Sequence, residues 1–319
     1  GELLEKHRDQ MTCPWGPGGK WLFAALGILF AVVPAAAQNR GVYPLGMTAT
    51  GSGLMPRAGF TYANQLLVYA RDRATDDDGN SLPVTGEHLV IMDMNTLTWV
   101  SPWKILGALY CASATIPIAK NSLTSDVTGH ISGGSGLADS YYLPAILSWK
   151  QERVAARAMY GFLAPTGRFE AGADDNVGSG YWTHTLSSGQ TVYLTRDQTF
   201  TLSGFEMLEF HTTQEGTEVQ PGDTFNLDYS LMVSLARSET LGIQAGLVGY
   251  EQRQISKKTG PSITEEESSA RYGINSLGVA VQSAFPKQEA NLALKYFKEF
   301  ANRSSYEGYS VQLFGAITF

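Results

Sequence analysis

The stretch that decides the fold is the last one, Tyr306–Phe319, which reads YEGYSVQLFGAITF. Tyr309, Val311, Leu313, Gly315, Ile317 and Phe319 fall on one side of an alternation, and Ser310, Gln312, Phe314, Ala316 and Thr318 on the other. A period of two is a strand, because successive side chains of an extended chain point to opposite faces. This strand stops on an aromatic, as the closing strand of a bacterial outer-membrane barrel commonly does. In such a barrel the last strand pairs with the first and removes the exposed sheet edge, so its expected partner is 59–71.

Working outward, strand-like stretches fall at 59–71, 87–101, 103–117, 137–150, 152–163, 188–197, 199–213, 224–237, 240–254, 268–285, 289–303 and 306–319. Their number, twelve, is even, as bacterial single-chain barrels require. The connections alternate between short turns (101–103, 150–152, 196–198, 237–240, 286–288) and mostly longer polar loops (72–86, 119–136, 164–187, 213–223, 256–267), with a tight one at 302–305. Short periplasmic turns and long outer loops are the asymmetry of an outer-membrane barrel, and an even count places both termini on the periplasmic side. Residues 178–187 read as loop or as an extension of the strand ending near Arg196. The clearest strand sets Phe225, Leu227, Tyr229, Leu231, Val233 and Leu235 against Asn226, Asp228, Ser230, Met232, Ser234 and Ala236. Alternation alone suits a secreted β-sandwich equally well. The loop asymmetry and Phe319, expected to act as an assembly and anchoring signal, favour the inverted arrangement with its apolar face outward. Trp99, Trp103, Trp149, Tyr193 and Phe285 lie near short turns, as an aromatic girdle would.

The N-terminus also points to export. Lys20 precedes the apolar run Trp21–Val33, and Ala35–Ala37 supplies a small-residue site. Residues 1–37 are expected to be an upstream extension and signal peptide cleaved near Ala37. Residues 38–58 read as an irregular, plug-like periplasmic segment, and 59–319 as the barrel. Beyond Cys13 the only cysteine is Cys111, which excludes an internal disulfide or cysteine-based zinc site. A net charge of -7 without a basic tract argues against nucleic acid.

Several stretches carry a family resemblance: GVYPLGMTATGSG (41–53), GFTYANQLLVYAR (59–71), ADSYYLPAILSW (138–149), MYGFLAPTGRF (159–169), GSGYWTHTLSSGQTVYL (178–194), GDTFNLDYSL (222–231) and FANRSSYEGYSVQ (300–312). Together they resemble the outer-membrane proteins grouped as the MetA-pathway of phenol degradation family, over nearly the whole chain after the leader. The resemblance implies a Gram-negative outer-membrane barrel that passes small hydrophobic or aromatic compounds. It brings no catalytic motif and no cofactor. The expected partners are outer-membrane lipids and lipopolysaccharide, the barrel-assembly machinery and a small apolar ligand.

Candidate functional residues are those expected to line the lumen: Asp93, Arg157, Asp228, Lys295 and Glu299, with Glu206 and Glu209. The last two are three apart, so a regular strand sends them to opposite faces. A β-bulge near Gly204 would let both face the lumen. Mixed charges across a narrow barrel either stabilise one another or form a constriction that sets permeability. Tyr142 and Phe314 are further candidates for an inward, apolar path. His211, two residues from Glu209, admits a lipid-modifying enzyme as an alternative, although no nucleophile elbow accompanies it. A surface protein that transports nothing is the other alternative. Asp76–Asn80 mismatches a calcium loop at both end positions and reads as an acidic turn.

Overall fold

The computed structural model describes residues 41–126 and 129–319; the expected leader at 1–37 lies outside them. Fourteen extended segments form one antiparallel sheet: β1 (Gly59–Thr75), β2 (Ser81–Ile105), β3 (Ala108–Ser125), β4 (Gly129–Ser132), β5 (Ser135–Leu137), β6 (Ser140–Lys150), β7 (Val154–Ala164), β8 (Thr183–Tyr193), β9 (Phe200–His211), β10 (Thr224–Arg237), β11 (Gly242–Gln254), β12 (Gly273–Phe285), β13 (Ala290–Glu299) and β14 (Tyr306–Thr318). β4, β5 and β6 succeed one another along β3 and make one interrupted stave, so the closed wall has twelve.

Closure is made by β14 on β1, in register from Thr61↔Thr318 to Ala74↔Tyr306. Phe319 continues it: its N–H donates to the Phe60 carbonyl at 2.9 Å, and Phe60 N–H donates back at 3.2 Å. No sheet edge is left at the seam, so a wall whose backbone is paired throughout can sit in hydrocarbon. The outward row is apolar: Phe60, Leu66, Leu97, Leu202, Leu231, Leu247, Val279, Leu294 and Leu313 are all exposed. The inward row is buried and largely polar, with Gln65, Asn226, Ser230, Ser276, Ser310 and Gln312 at 6% exposure or less. Trp99 stacks edge-on with Trp103 and Tyr110 at the short-turn end, where Phe60, Phe200 and Phe319 are also exposed.

Strand ends shift from the sequence reading, β1 running on to Thr75 and β2 beginning at Ser81, and three local differences have a clear cause. The hairpin between β2 and β3 runs past Ser101–Trp103 and turns at Leu106–Gly107, both at positive φ. Pro102 is tolerated because the ladder carries an irregularity between Val100 and Lys104. β8 begins at Thr183, so the upper half of the ambiguous 178–187 stretch extends that strand, and it ends at Tyr193, short of Arg196. In β6 a bulge around Leu143–Pro144 shifts the register against both β3 and β7. Pro has no N–H to give to a ladder, so a bulge is where a strand accommodates it.

The long connections lie at the other end. The 165–182 loop is tied to the wall by Asp139, which accepts from Gly167 N–H, Ser179 N–H and the Ser179 hydroxyl at 2.6–2.9 Å. A short helix, α1 (Glu265–Ser269), opens on a capping box of Thr264 and Glu267 in the loop before β12. Asp76 spends its carboxylate inside its own turn, accepting from Asp78 and Asn80 N–H.

Candidate functional site: the occupied lumen

Residues 41–58 run inside the barrel. An irregular segment has backbone groups that no ladder pairs, and inside a barrel only inward side chains can satisfy them. Glu209 accepts from Tyr43 N–H at 2.7 Å and Val42 N–H at 3.2 Å, and is also bonded by the Thr224 hydroxyl. Asp228 accepts from the Tyr43 hydroxyl at 2.5 Å and from Gly46 and Thr48 N–H at 3.0 Å each. Lys295 donates to the carbonyls of Gly46 at 2.8 Å and Met47 at 2.6 Å. Gln312 and Tyr69 both donate to the Leu45 carbonyl. The Gly46 peptide is therefore pinned by a carboxylate on one side and an ammonium on the other. Gly46 sits at φ +80°, and a Cβ there would lie 2.6 Å from the Phe297 ring. Only glycine meets both demands.

The segment spans the lumen lengthwise. Gly41 N–H donates to the Tyr272 hydroxyl, next to the long-loop end of β12. Gly53 N–H donates to Thr191 near the short-turn end of β8, and Arg57 pairs with Glu289 at the turn before β13. The expected plug at the periplasmic mouth is thus a thread through the whole interior. The barrel wall begins at Gly59 and ends beside Phe319, both at the short-turn end as the even strand count requires, and residue 41 lies at the long-loop end of the lumen.

Of the expected lumen residues, Arg157, Glu209, Asp228, Lys295 and Glu299 point inward. Arg157 lies beside the segment, its Nη1 3.6 Å from the Met55 sulfur. Glu299 does not touch the segment. It takes a bidentate contact from Arg71 at 2.7–3.1 Å, plus the Tyr250 hydroxyl, Asn302 Nδ2 and Gly308 N–H. It therefore knots β1, β11, β13 and β14 together near the long-loop end.

Two candidates face the other way. Glu206 points outward because β9 keeps unbroken register with both β8 and β10, so the bulge expected near Gly204 is absent and period two holds. Its carboxylate is satisfied within the wall by Ser188 at 2.8 Å and Gln190 at 3.0 Å. Asp93 is paired with outward Leu66 and shares its face. It is bonded by Asn64 at 2.5 Å and Asn95 at 3.4 Å. Local hydrogen bonds lower the cost of a carboxylate in the outer band. Tyr142 is also outward, its ring tilted against that of Phe162 with centroids 5.4 Å apart, because the β6 bulge sends Tyr141 and Leu143 inward instead. Phe314, paired with inward Gln65, does face the lumen.

The sequence reading missed the methionines. The chain has eight; apart from Met11, all seven belong to one apolar cluster inside the barrel. Met47 and Met55 come from the internal segment, and Met92, Met94, Met159, Met207 and Met232 from the wall. Met47, Met55, Met92, Val90, Leu109, Tyr141 and Leu143 are only partly buried. The signal was present as parity: Met159 shares the strand face of Arg157, Met207 that of Glu209 and Met232 that of Asp228. Thioethers are flexible and polarizable, so such a surface adapts to apolar solutes of different shapes.

His211 is buried. Its Nδ1 meets the Thr183 hydroxyl at 2.8 Å, its Nε2 lies 3.8 Å from Glu209, and the Tyr181 ring covers it. Glu209 is engaged with the internal segment, so this group serves as a binding device for backbone N–H. Among the described residues no cluster of His, Cys, Asp and Glu is arranged to hold a metal ion.

Comparisons with known structures agree with this architecture. The COG4313 outer membrane channel from Pseudomonas putida F1 superposes with a TM-score of 0.71 at 12% identity, over 88% of this chain and 100% of that one. The beta domain of the Bordetella autotransporter BrkA gives 0.56 at 14% identity, over 82% and 100%. The transport unit of the autotransporter AIDA-I from Escherichia coli gives 0.52 at 9%, over 91% and 97%. At such identities the likeness establishes the fold, that of an outer-membrane β-barrel. No curated protein matches the sequence. The family described as "Putative MetA-pathway of phenol degradation" matches residues 71–313, nearly the whole barrel from β1 into β14, and the chain belongs to that family.

Proposed function

We propose that this barrel is a passive channel for small hydrophobic or aromatic compounds, without covalent chemistry. The observation that carries the reading is the methionine cluster. One side of the lumen is closed by hydrogen bonds between the wall and residues 41–55. The other presents partly buried Met92, Val90, Leu109, Tyr141 and Leu143 beside Met47 and Met55. Water gains little along such a surface, whereas an apolar solute exchanges one apolar environment for another. The internal segment acts as the gate, because its displacement widens this path without opening the wall. The channel among the structural neighbours supports passage through the barrel, and the phenol of the family description supports an aromatic solute.

Uptake of a radiolabelled small aromatic into proteoliposomes tests this. The parent protein is expected to exceed protein-free vesicles by at least tenfold. Met92→Asp, which places a charge on the path but outside the contacts that hold the segment, is expected to return uptake to near background. Uptake equal to protein-free vesicles, or unaffected by Met92→Asp, would overturn the proposal.

A further inference from the structure

The outer face of the barrel carries a second feature at the β1–β14–β13 seam. Cross-strand register places outward residues in rows. One row runs Asn64, Gly315, Leu292, and the next Tyr62, Ile317, Ala290, Phe285. Each row has a small residue near the middle of the seam: glycine in the first, alanine in the second. The missing side chains leave a groove of about 490 Å³ in the lipid-facing wall, walled by Tyr62, Leu292, Ile317 and Phe285 and floored by Gly315 and Ala290. That volume lies in the range of ligand sites, about 300–1,000 Å³. The lining is apolar, and the groove opens at the short-turn end beside Gln288.

We propose that this groove binds one phospholipid of the periplasmic leaflet, with an acyl chain over Gly315 and Ala290. Position and charge choose this occupant. The groove reaches down to the turn Pro286–Gln288, next to the exposed aromatic Phe319, where a leaflet's headgroups lie. The turn at its lower end, which gives the groove Gln288, carries both signs: exposed Lys287 on one side of Gln288 and half-exposed Glu289, paired with Arg57, on the other. A zwitterionic headgroup matches such a rim, its phosphate meeting the cations and its ammonium the carboxylate. A polyanionic lipopolysaccharide headgroup does not match, and belongs to the opposite leaflet. An ordinary barrel face is a continuous apolar row that lipid touches without preference. Here the register builds a recess, so one lipid is held while its neighbours exchange.

Native mass spectrometry of the barrel released from mild detergent tests this, after incubation with phosphatidylethanolamine vesicles. The parent is expected to retain one phosphatidylethanolamine per barrel. Gly315→Phe is expected to reduce the occupied fraction at least tenfold. A Cβ at position 315 meets only the movable end of Leu292, at 3.3 Å, so this variant should fold, with heat-modifiable gel migration as the check. Lys287→Glu leaves the groove intact and is expected to weaken retention severalfold. No retained phospholipid on the parent, retention of lipopolysaccharide in its place, or unchanged retention in both variants would overturn the proposal.

Discussion

Replacing Asp228 by alanine should free the internal segment while leaving the barrel standing. Asp228 is fully buried and accepts three hydrogen bonds, all from residues 43–48. Alanine leaves the Tyr43 hydroxyl and the Gly46 N–H without an acceptor, leaves the Thr48 N–H only the Tyr43 hydroxyl oxygen at 3.1 Å, and leaves Lys295 buried beside no carboxylate. Hydrogen bonds to a charged group are worth about 1.5–3 kcal/mol each, but they do not add when they share one anchor. Breaking a buried charged contact by removing one partner costs about 3–5 kcal/mol. That cost falls on the segment-in state, so the segment-out population should rise by roughly a thousandfold, at about 1.4 kcal/mol per tenfold. The assay is labelling of Thr48→Cys by a membrane-impermeant maleimide, in a Cys111→Ser background so that no other thiol of the described barrel reacts. Asp228→Ala should accelerate labelling by two to three orders of magnitude, and Asp228→Asn, which keeps one acceptor oxygen, by less. Glu299→Gln is the control: it weakens the Arg71 contact in the wall and should lower the unfolding temperature without changing labelling. If Asp228→Ala, folded by gel shift, labels within twofold of its parent, Asp228 does not hold the segment.

Further outcomes follow from single residues. Gly46→Val combines a positive φ with a clash on Phe297, so labelling at position 48 should rise as it does for Asp228→Ala. Glu206→Lys puts an ammonium into the lipid-facing band and should destabilise the folded barrel by about 2–4 kcal/mol in urea titration into lipid vesicles, whereas Glu206→Gln keeps the bonds to Ser188 and Gln190 and should change little; equal effects would place Glu206 elsewhere. Deleting Phe319 removes the last pair with Phe60 and should lower the membrane-assembled fraction severalfold, while the assembled molecules keep the parent's uptake rate. At the 194–199 turn, hydrogen bonds from Thr195 and then Thr199 hold the Asp197 carboxylate down at about 2, below the unfolded value of about 3.9. Its contribution is therefore complete above the unfolded value and lost as pH falls through about 2, so the unfolding midpoints of the parent and Asp197→Asn should differ at pH 6 and converge at pH 2.

The wall was legible in the sequence because it is a local property. Alternation, turn residues and strand count follow from the chain's own period, and Tyr306–Phe319 even named its partner, since a closed sheet leaves one choice for its last strand. Facing was legible where alternation was strict, as for Asp228, Lys295 and Glu299. It failed where charge was allowed to outvote parity. Asp93 and Glu206 look like lumen residues by chemistry but are outward by register, and side-chain partners on neighbouring strands make that tolerable. It failed again at Tyr142, where a bulge at Pro144 inverts the phase by one residue. The occupied lumen was the work of tertiary structure. Residues 41–58 have no period to read, and their path is set by acceptors and donors as far as 267 positions away, Thr191 and Gln312 among them. The methionine cluster is of the same kind: seven residues scattered from 47 to 232 become one surface only when the sheet closes. Sequence determined a barrel with a polar inner row, and only closure in three dimensions decided that this row is used to hold residues 41–55 of the same chain.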